Sequence, residues 1–256
     1  MKGTATEKQI VSMTALRENL EKLEDAIGAA CRAADRSRDS VELMAVSKTY
    51  PAETIIDAVQ LGLHLFGENR VQEFAAKASD AAALRTRCNT DSLRMHHIGH
   101  LQSNKSARAA ELFDGVDSVD SLRLAERLNE AAAKLDKRLP ILIEVKLSSE
   151  ETKSGIDPES DEAARLLERL PDLPNLETRG LMTIAPWGVA PEITRECFRS
   201  LRNYRDRWAS ANPRLAFDVL SMGMSGDYAI AIAEGATRIR IGTALFGKRA
   251  PWTGAE

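Results

Sequence analysis

The stretch Val41-Glu-Leu-Met-Ala-Val-Ser-Lys48, followed at once by Thr49-Tyr-Pro-Ala-Glu-Thr54, governs how the rest of the chain is read. Val41 to Ser47 is short, apolar and bounded by turn-type residues, the signature of a strand. Pro51 and Glu53 stand where the first turn of a helix favours proline and an acid, so the spacing predicts a helix to about Leu61, ended by Gly62. The local unit is one strand feeding one helix.

That unit recurs along the chain. A second strand is predicted over Leu63–Phe66, stopping at Gly67-Glu-Asn-Arg70, after which Val71, Phe74, Ala75 and Ala78 keep helical spacing. Further strands are predicted at Met95–Gly99, Val116–Val119, Ile141–Leu147, Thr178–Ile184, Phe217–Met222 and Arg238–Thr243. Helices are predicted at Asn104–Phe113, Ser121–Lys137, Asp161–Leu170, Pro191–Ser210 and Asp227–Glu234, with Pro140 separating the fifth strand from the helix before it. Ahead of the first strand, Ile10, Met13, Leu16, Leu20, Leu23 and Ile27 mark an amphipathic helix over about 7–34. Eight strands alternating with helices, without an internal linker, fit an eight-stranded barrel or a doubly wound open sheet. Eight units in 256 residues favour the barrel: an α/β fold, a single-domain (β/α)8 TIM barrel over about 41–248.

Composition narrows the function classes. With 43% hydrophobic and 29% charged residues the chain has the make-up of a soluble globular protein. A net charge of −3 provides no general attraction for nucleic acid or an anionic membrane. No apolar run approaches the roughly 20 residues of a spanning helix, and the charged start lacks a signal-peptide core. Cys31, Cys88 and Cys197 are odd in number and lack a CxxC pair, which argues against a disulfide framework or a structural zinc site. A cytoplasmic protein is expected.

In such barrels the active site lies where strands end and βα loops begin. That rule selects Lys48 and Tyr50, Asn69, His97 and His100, Lys146 and Ser148, Thr183, Ser221 to Ser225, and Gly242 with Thr243. Ser221-Met-Gly-Met-Ser225-Gly-Asp and Arg240-Ile-Gly-Thr243 follow strands seven and eight, where barrels often build a phosphate site from backbone N–H groups and a helix N-terminus. Gly223, Gly226 and Gly242 allow close backbone approach, and Ser225 is placed to cap the helix at Asp227. An ordinary Gly/Ser turn is the plainer reading.

Period-two alternation puts Lys48 on the same side as Met44 and Val46, toward the barrel axis. There a desolvated lysine near Arg240 has a lowered pKa and can attack an aldehyde. Arg240 shares parity with Gly242 and needs a partner: a phosphate, a ring nitrogen, a carboxylate, or a structural ion pair. His97 and His100 differ in parity, which argues against a shared metal ion. Glu68 and Glu144 read as structural charges, and no nucleotide loop or nucleophile elbow follows a strand.

Seven blocks in order resemble the pyridoxal phosphate homeostasis protein family. They are Ala45-Val-Ser-Lys48-Thr, Phe66-Gly-Glu-Asn-Arg-Val-Gln-Glu73, His97-Ile-Gly-His-Leu-Gln-Ser-Asn-Lys105, Lys153-Ser-Gly-Ile, Gly180-Leu-Met-Thr-Ile, Leu220-Ser-Met-Gly-Met-Ser225 and Arg240-Ile-Gly-Thr-Ala-Leu-Phe-Gly247. The resemblance implies a barrel similar to the N-terminal domain of alanine racemase, carrying pyridoxal 5′-phosphate as an aldimine on Lys48. It implies that Ser225, Gly242 and Thr243 hold the phosphate, that Arg240 faces the ring nitrogen, and that Ser221, Gly223 and Asn69 line the pocket. No catalytic and no metal-binding residue is implied. The expected role is carrier or regulator of the vitamin B6 pool, as a monomer meeting apo pyridoxal-phosphate enzymes transiently. With the sequence running to Glu256, just beyond strand eight, the second β domain that brings racemases their catalytic tyrosine is not expected. The alternatives are a stand-alone amino-acid racemase using Tyr50 or a pocket histidine as base, and an interaction protein using the charged helix Pro191–Ser210.

Overall fold

A computed structural model describes residues 11–78, 86, 88, 90–148 and 154–247. Its centre is a closed barrel of eight parallel strands in sequence order: β1 Glu42–Val46, β2 Leu65–Glu68, β3 Arg94–His97, β4 Gly115–Val119, β5 Leu139–Glu144, β6 Leu176–Met182, β7 Val219–Ser221 and β8 Arg238–Ile241. β1 pairs with β8 through Glu42 opposite Arg238 and Ala45 opposite Ile241, which closes the ring. The described helices are α1 Met13–Ala33, α2 Ala52–Gln60, α3 Val71–Ala78, α4 Ser106–Leu112, α5 Leu122–Lys134, α6 Asp161–Arg169, α7 Pro191–Ala211, α8 Tyr228–Ala233 and α9 Thr243–Phe246.

Alternation along each strand divides the interior in two. Outward residues such as Phe66, Val116, Ile141, Ile143, Leu181, Leu220, Ile239 and Ile241 join the large apolar core under the helices. Inward residues are mixed. Toward the strands' N-terminal ends, Asp117 is hydrogen-bonded to His96 Nδ1 at 2.7 Å and paired with Arg238 at 3.0 Å, while Arg238 also meets Glu42 at 2.9 Å. Burial alone would raise the Asp117 carboxyl, but His96 and Arg238 outweigh it and hold the group down to about 2. Toward the other end, Met44, Val46, Leu65 and Ile98 form a small apolar cluster inside the barrel. The polar layer plugs one end and leaves the other open to a cavity.

Two departures from the sequence reading have physical causes. Pro140 lies inside β5 instead of before it, in register with Glu177 of β6. Leu139 donates its N–H to Asn175 on the β6 side, so the next residue turns toward β4, whose pairing with β5 starts only at Ile141; the missing proline N–H is not needed there. The eighth strand stops at Ile241, and Thr243 opens the short helix α9, whose turn is closed by Phe246 N–H to the Gly242 carbonyl at 2.8 Å. α1 buries Leu16, Leu23, Ile27 and Cys31. It is tied to α9 by Asn19 Nδ2 donating to the Leu245 carbonyl at 3.0 Å. The predicted start of this helix at residue 7 lies outside the described residues, as does Lys153 of the Lys153-Ser-Gly-Ile block.

Candidate functional site

β1 ends at Val46, two residues short of Lys48. Ser47 to Tyr50 form a tight turn closed by Tyr50 N–H to the Ser47 carbonyl at 3.1 Å, with Thr49 at φ 73° in the third position. Lys48 reaches the barrel mouth from this turn, not from the strand, and it lines a cavity of about 740 Å³. Val46 lines the same cavity, so the inward parity of the strand holds up to its last residue. Tyr50 turns away. Its hydroxyl is 3.1 Å from the carbonyl oxygens of both Phe246 and Gly247, and its ring packs on Phe246.

Across β8 from Lys48, the β7 and β8 ends form a cradle. Ser225, Gly226, Gly242 and Thr243 all line the cavity. Their backbone N–H groups have no acceptor among the described residues. Contrary to the expectation from sequence, Ser225 does not cap the helix at Asp227. Met224 donates its N–H to Asp227 Oδ1, and Ser225 Oγ accepts from Ala244 N at 3.2 Å, linking the β7 loop to the first turn of α9. Gly223 makes this loop possible: at φ 93° it sits where a Cβ would come within 2.6 Å of the Ala231 side chain.

Arg240 is fully buried at the cavity floor. One nitrogen, Nη1, donates to the Ser221 carbonyl at 2.7 Å and to Ser221 Oγ at 2.9 Å, and Nη2 donates to the Thr183 carbonyl at 2.8 Å. Among the described residues no carboxylate lies within ion-pair distance of it, so the structural ion pair is not what holds this arginine. Burial pulls its pKa below the ordinary arginine value, while Asp117 and Glu144 pull the other way. A cation fixed by neutral acceptors beside unpaired N–H groups makes the floor electropositive. Six of the eight residues singled out as cofactor-binding therefore line one cavity: Lys48, Asn69, Ser225, Arg240, Gly242 and Thr243. Ser221 and Gly223 lie beneath it, one orienting Arg240 and the other shaping the loop.

A family model described as alanine racemase, N-terminal domain, matches residues 11–250. A pyridoxal phosphate homeostasis protein of Aquifex aeolicus is 40% identical over 232 residues, covering 91% of this chain and 97% of the relative. The chain belongs to the pyridoxal phosphate homeostasis protein family. Among solved structures, PipY of Synechococcus elongatus PCC7942 with PLP bound is 39% identical with a TM-score of 0.78, over 91% of this chain and 100% of that one. An alanine racemase of Clostridium difficile 630, at 18% identity and a TM-score of 0.68 over 95% of this chain and 59% of that one, shares the fold.

In this member of the pyridoxal phosphate homeostasis protein family, the other half of the cavity comes from residues the sequence reading passed over or underrated. Ile98, Gly99, Ile184 and Trp187 line it, with Ser154 and Glu144. Glu144 is 2% exposed. Its Oε1 accepts from Ser154 Oγ at 2.8 Å, and among the described residues Oε2 has no hydrogen-bond partner. Burial raises its pKa above the usual carboxylate range. A side chamber of about 230 Å³ shares Glu144, Ser154 and Ile184 and adds Lys146 and Ser148. Of the histidines, His100 lines the cavity and lies 3.2 Å from Asp120. His97 points into the helix layer against Phe113, where burial lowers its pKa to about 4. The signal for Ile98, Gly99 and Ser154 was their place inside the quoted blocks. Trp187, 83% exposed in the β6 loop, carries no motif.

Proposed function

We propose that this chain binds pyridoxal 5′-phosphate in the cavity, holds it covalently through the Lys48 ε-amino group, and serves as a carrier that buffers the cofactor instead of a catalyst. The observation that carries this reading is the shared cavity: a lysine on one wall, four backbone N–H groups without acceptors among the described residues on the facing wall, and Arg240 between them. The residues fit the group. A phosphate accepts several N–H donors at once, and the cradle at the β7 and β8 ends offers them from Ser225, Gly226, Gly242 and Thr243 beside the Ser225 hydroxyl. When bound, the cofactor supplies an aldehyde that bonds reversibly to a primary amine and a pyridine ring that can withdraw electrons.

The chain's own residues favour retention over turnover. Arg240 is the residue for the ring nitrogen, and a guanidinium has no acceptor atom and is not deprotonated in proteins, so it cannot share a proton with that nitrogen as a carboxylate would. Asn69 borders the Lys48 side. The rival racemase reading needs Tyr50 or a pocket histidine as base at the ligand; the hydroxyl of Tyr50 is turned to the Phe246 and Gly247 carbonyls, which leaves His100 as its candidate on the cavity wall.

Adding pyridoxal phosphate to the purified chain, reducing with borohydride and mapping the labelled peptide tests the proposal. Label on Lys48 and its loss in Lys48→Ala are expected; label elsewhere, or none, refutes it. Sustained α-proton exchange of L-amino acids in deuterated water would favour the racemase.

A further inference from the structure

The peptide groups on either side of Lys48 are held by one ion cluster, buried at Glu68 and Lys77 and half-buried at Glu73, that the cofactor reading does not use. Lys77 of α3 is 3% exposed, and its Nζ donates to Glu68 Oε1 at 2.9 Å, to Glu73 Oε1 at 3.2 Å and to the carbonyl of Ser47 at 3.2 Å. Ser47 Oγ donates to the same Glu68 oxygen at 2.7 Å. Thr49 donates its backbone N–H to Glu73 Oε1 at 2.5 Å. The Ser47 carbonyl belongs to the peptide before Lys48, and the Thr49 amide to the peptide after it.

Peptide units are planar, so the two soft dihedrals of Lys48 are rotations between these two planes. Gripping both planes fixes both dihedrals, and with them the direction in which the lysine side chain leaves the backbone. The Glu73 contact to the Thr49 amide, with the turn bond from Tyr50 N–H to the Ser47 carbonyl, brackets Thr49 at φ 73°, a left-handed conformation that non-glycine residues adopt at a cost and keep where their surroundings enforce it. Stability alone does not account for the cluster. Glu68 is fully buried with its second oxygen unpartnered, and buried ion pairs of this kind are often replaced by apolar side chains without loss.

We infer that Glu68, Glu73 and Lys77 are positioning residues for Lys48, directing its amine into the cavity while lining no part of that cavity themselves. This rests on the proposed cofactor. In the step they serve, the ε-amino nitrogen bonds to the aldehyde carbon and the aldehyde oxygen leaves as water. Misdirecting the amine slows that step and leaves the phosphate cradle intact.

Two ligands separate the effects: pyridoxal 5′-phosphate, and pyridoxine 5′-phosphate, whose alcohol in place of the aldehyde cannot bond to lysine. In Lys77→Met, and in Glu73→Ala should the first fail to fold, the rate of borohydride-trappable attachment is expected to fall about 10- to 100-fold. Affinity for pyridoxine 5′-phosphate should stay within about twofold, since the cradle's backbone donors are untouched. Glu73→Gln, which keeps an oxygen for the Thr49 amide, should recover most of the rate. Equal loss of both ligands, or an unchanged attachment rate, overturns the inference. A wild-type chain that takes neither ligand overturns the cofactor reading and this inference with it.

Discussion

Gly226 tests the phosphate cradle. A Cβ built at this position meets no atom within 4 Å, and its φ lies outside the left-handed region, so a side chain can be added without strain. It lines the cavity beside Ser225. Gly226→Ala is therefore expected to leave both stability and cofactor affinity within a few tenths of a kcal/mol, while Gly226→Asp sets a carboxylate beside the proposed phosphate. Two unit charges 4 Å apart interact by about 1 kcal/mol in bulk water and about 4 kcal/mol at the effective dielectric near a protein surface. The open mouth places this site between those limits, at about 2–3 kcal/mol of repulsion, or roughly a 30- to 150-fold loss of affinity. The assay is equilibrium binding of pyridoxal 5′-phosphate and of pyridoxal, which lacks the phosphate, at low and high salt. Pyridoxal should bind Gly226→Asp nearly as it binds the wild type, and the loss for pyridoxal 5′-phosphate should shrink as salt screens the charges. Equal losses for the two ligands would mean that the β7 and β8 loops do not read a phosphate.

Three further outcomes follow from the interior. Asp117 is depressed from 3.8 to about 2, so its contribution of about 2 kcal/mol is present above pH 3.8 and is lost as pH falls through 2; Asp117→Asn, assayed by urea denaturation, should be less stable at pH 6 and show a shallower acid loss. Glu144 has the opposite sign. Its raised pKa gives stability that is present below 4.5 and lost as pH rises through the folded value, so Glu144→Gln should gain on the wild type as pH rises above 4.5 in the same assay. Gly223→Ala meets the Ala231 side chain at 2.6 Å from a φ of 93° and should lower stability by about 2–4 kcal/mol, read as a fall in Tm.

The βα rhythm made the barrel legible because each unit signals itself locally: Pro51 and Glu53 open a helix and Gly62 follows its end, all within the 16 residues after the first strand. The cradle was legible in place but not in wiring. Ser225 was assigned to the helix nearest in sequence, whereas its hydroxyl serves Ala244, 19 residues on, because the β7 and β8 loops meet only once the barrel has closed. Glu144 reads as a structural charge in a linear sequence, and its place at the cavity depends on the facing strands and on Ser154 ten residues away. The same holds for Glu68 and Lys77, whose spacing suggests nothing until β2 and α3 fold them together over Ser47.

These wirings divide the barrel interior by task. Arg238 and Arg240 are two residues apart on one strand and both point inward, yet they are held in opposite ways. Arg238 is neutralised by Asp117 and Glu42, and its pKa is raised despite burial. Arg240 is oriented by the Ser221 carbonyl, the Ser221 hydroxyl and the Thr183 carbonyl, none of which carries a formal charge. A buried cation left without a counter-ion is costly, and that cost falls when an anion enters the cavity above it. The lower arginine thus belongs to the layer that plugs the barrel, and the upper one makes the cavity floor electropositive. The Glu144 carboxyl, which lines the same cavity, is likewise shifted by burial, in the direction that disfavours its charged form.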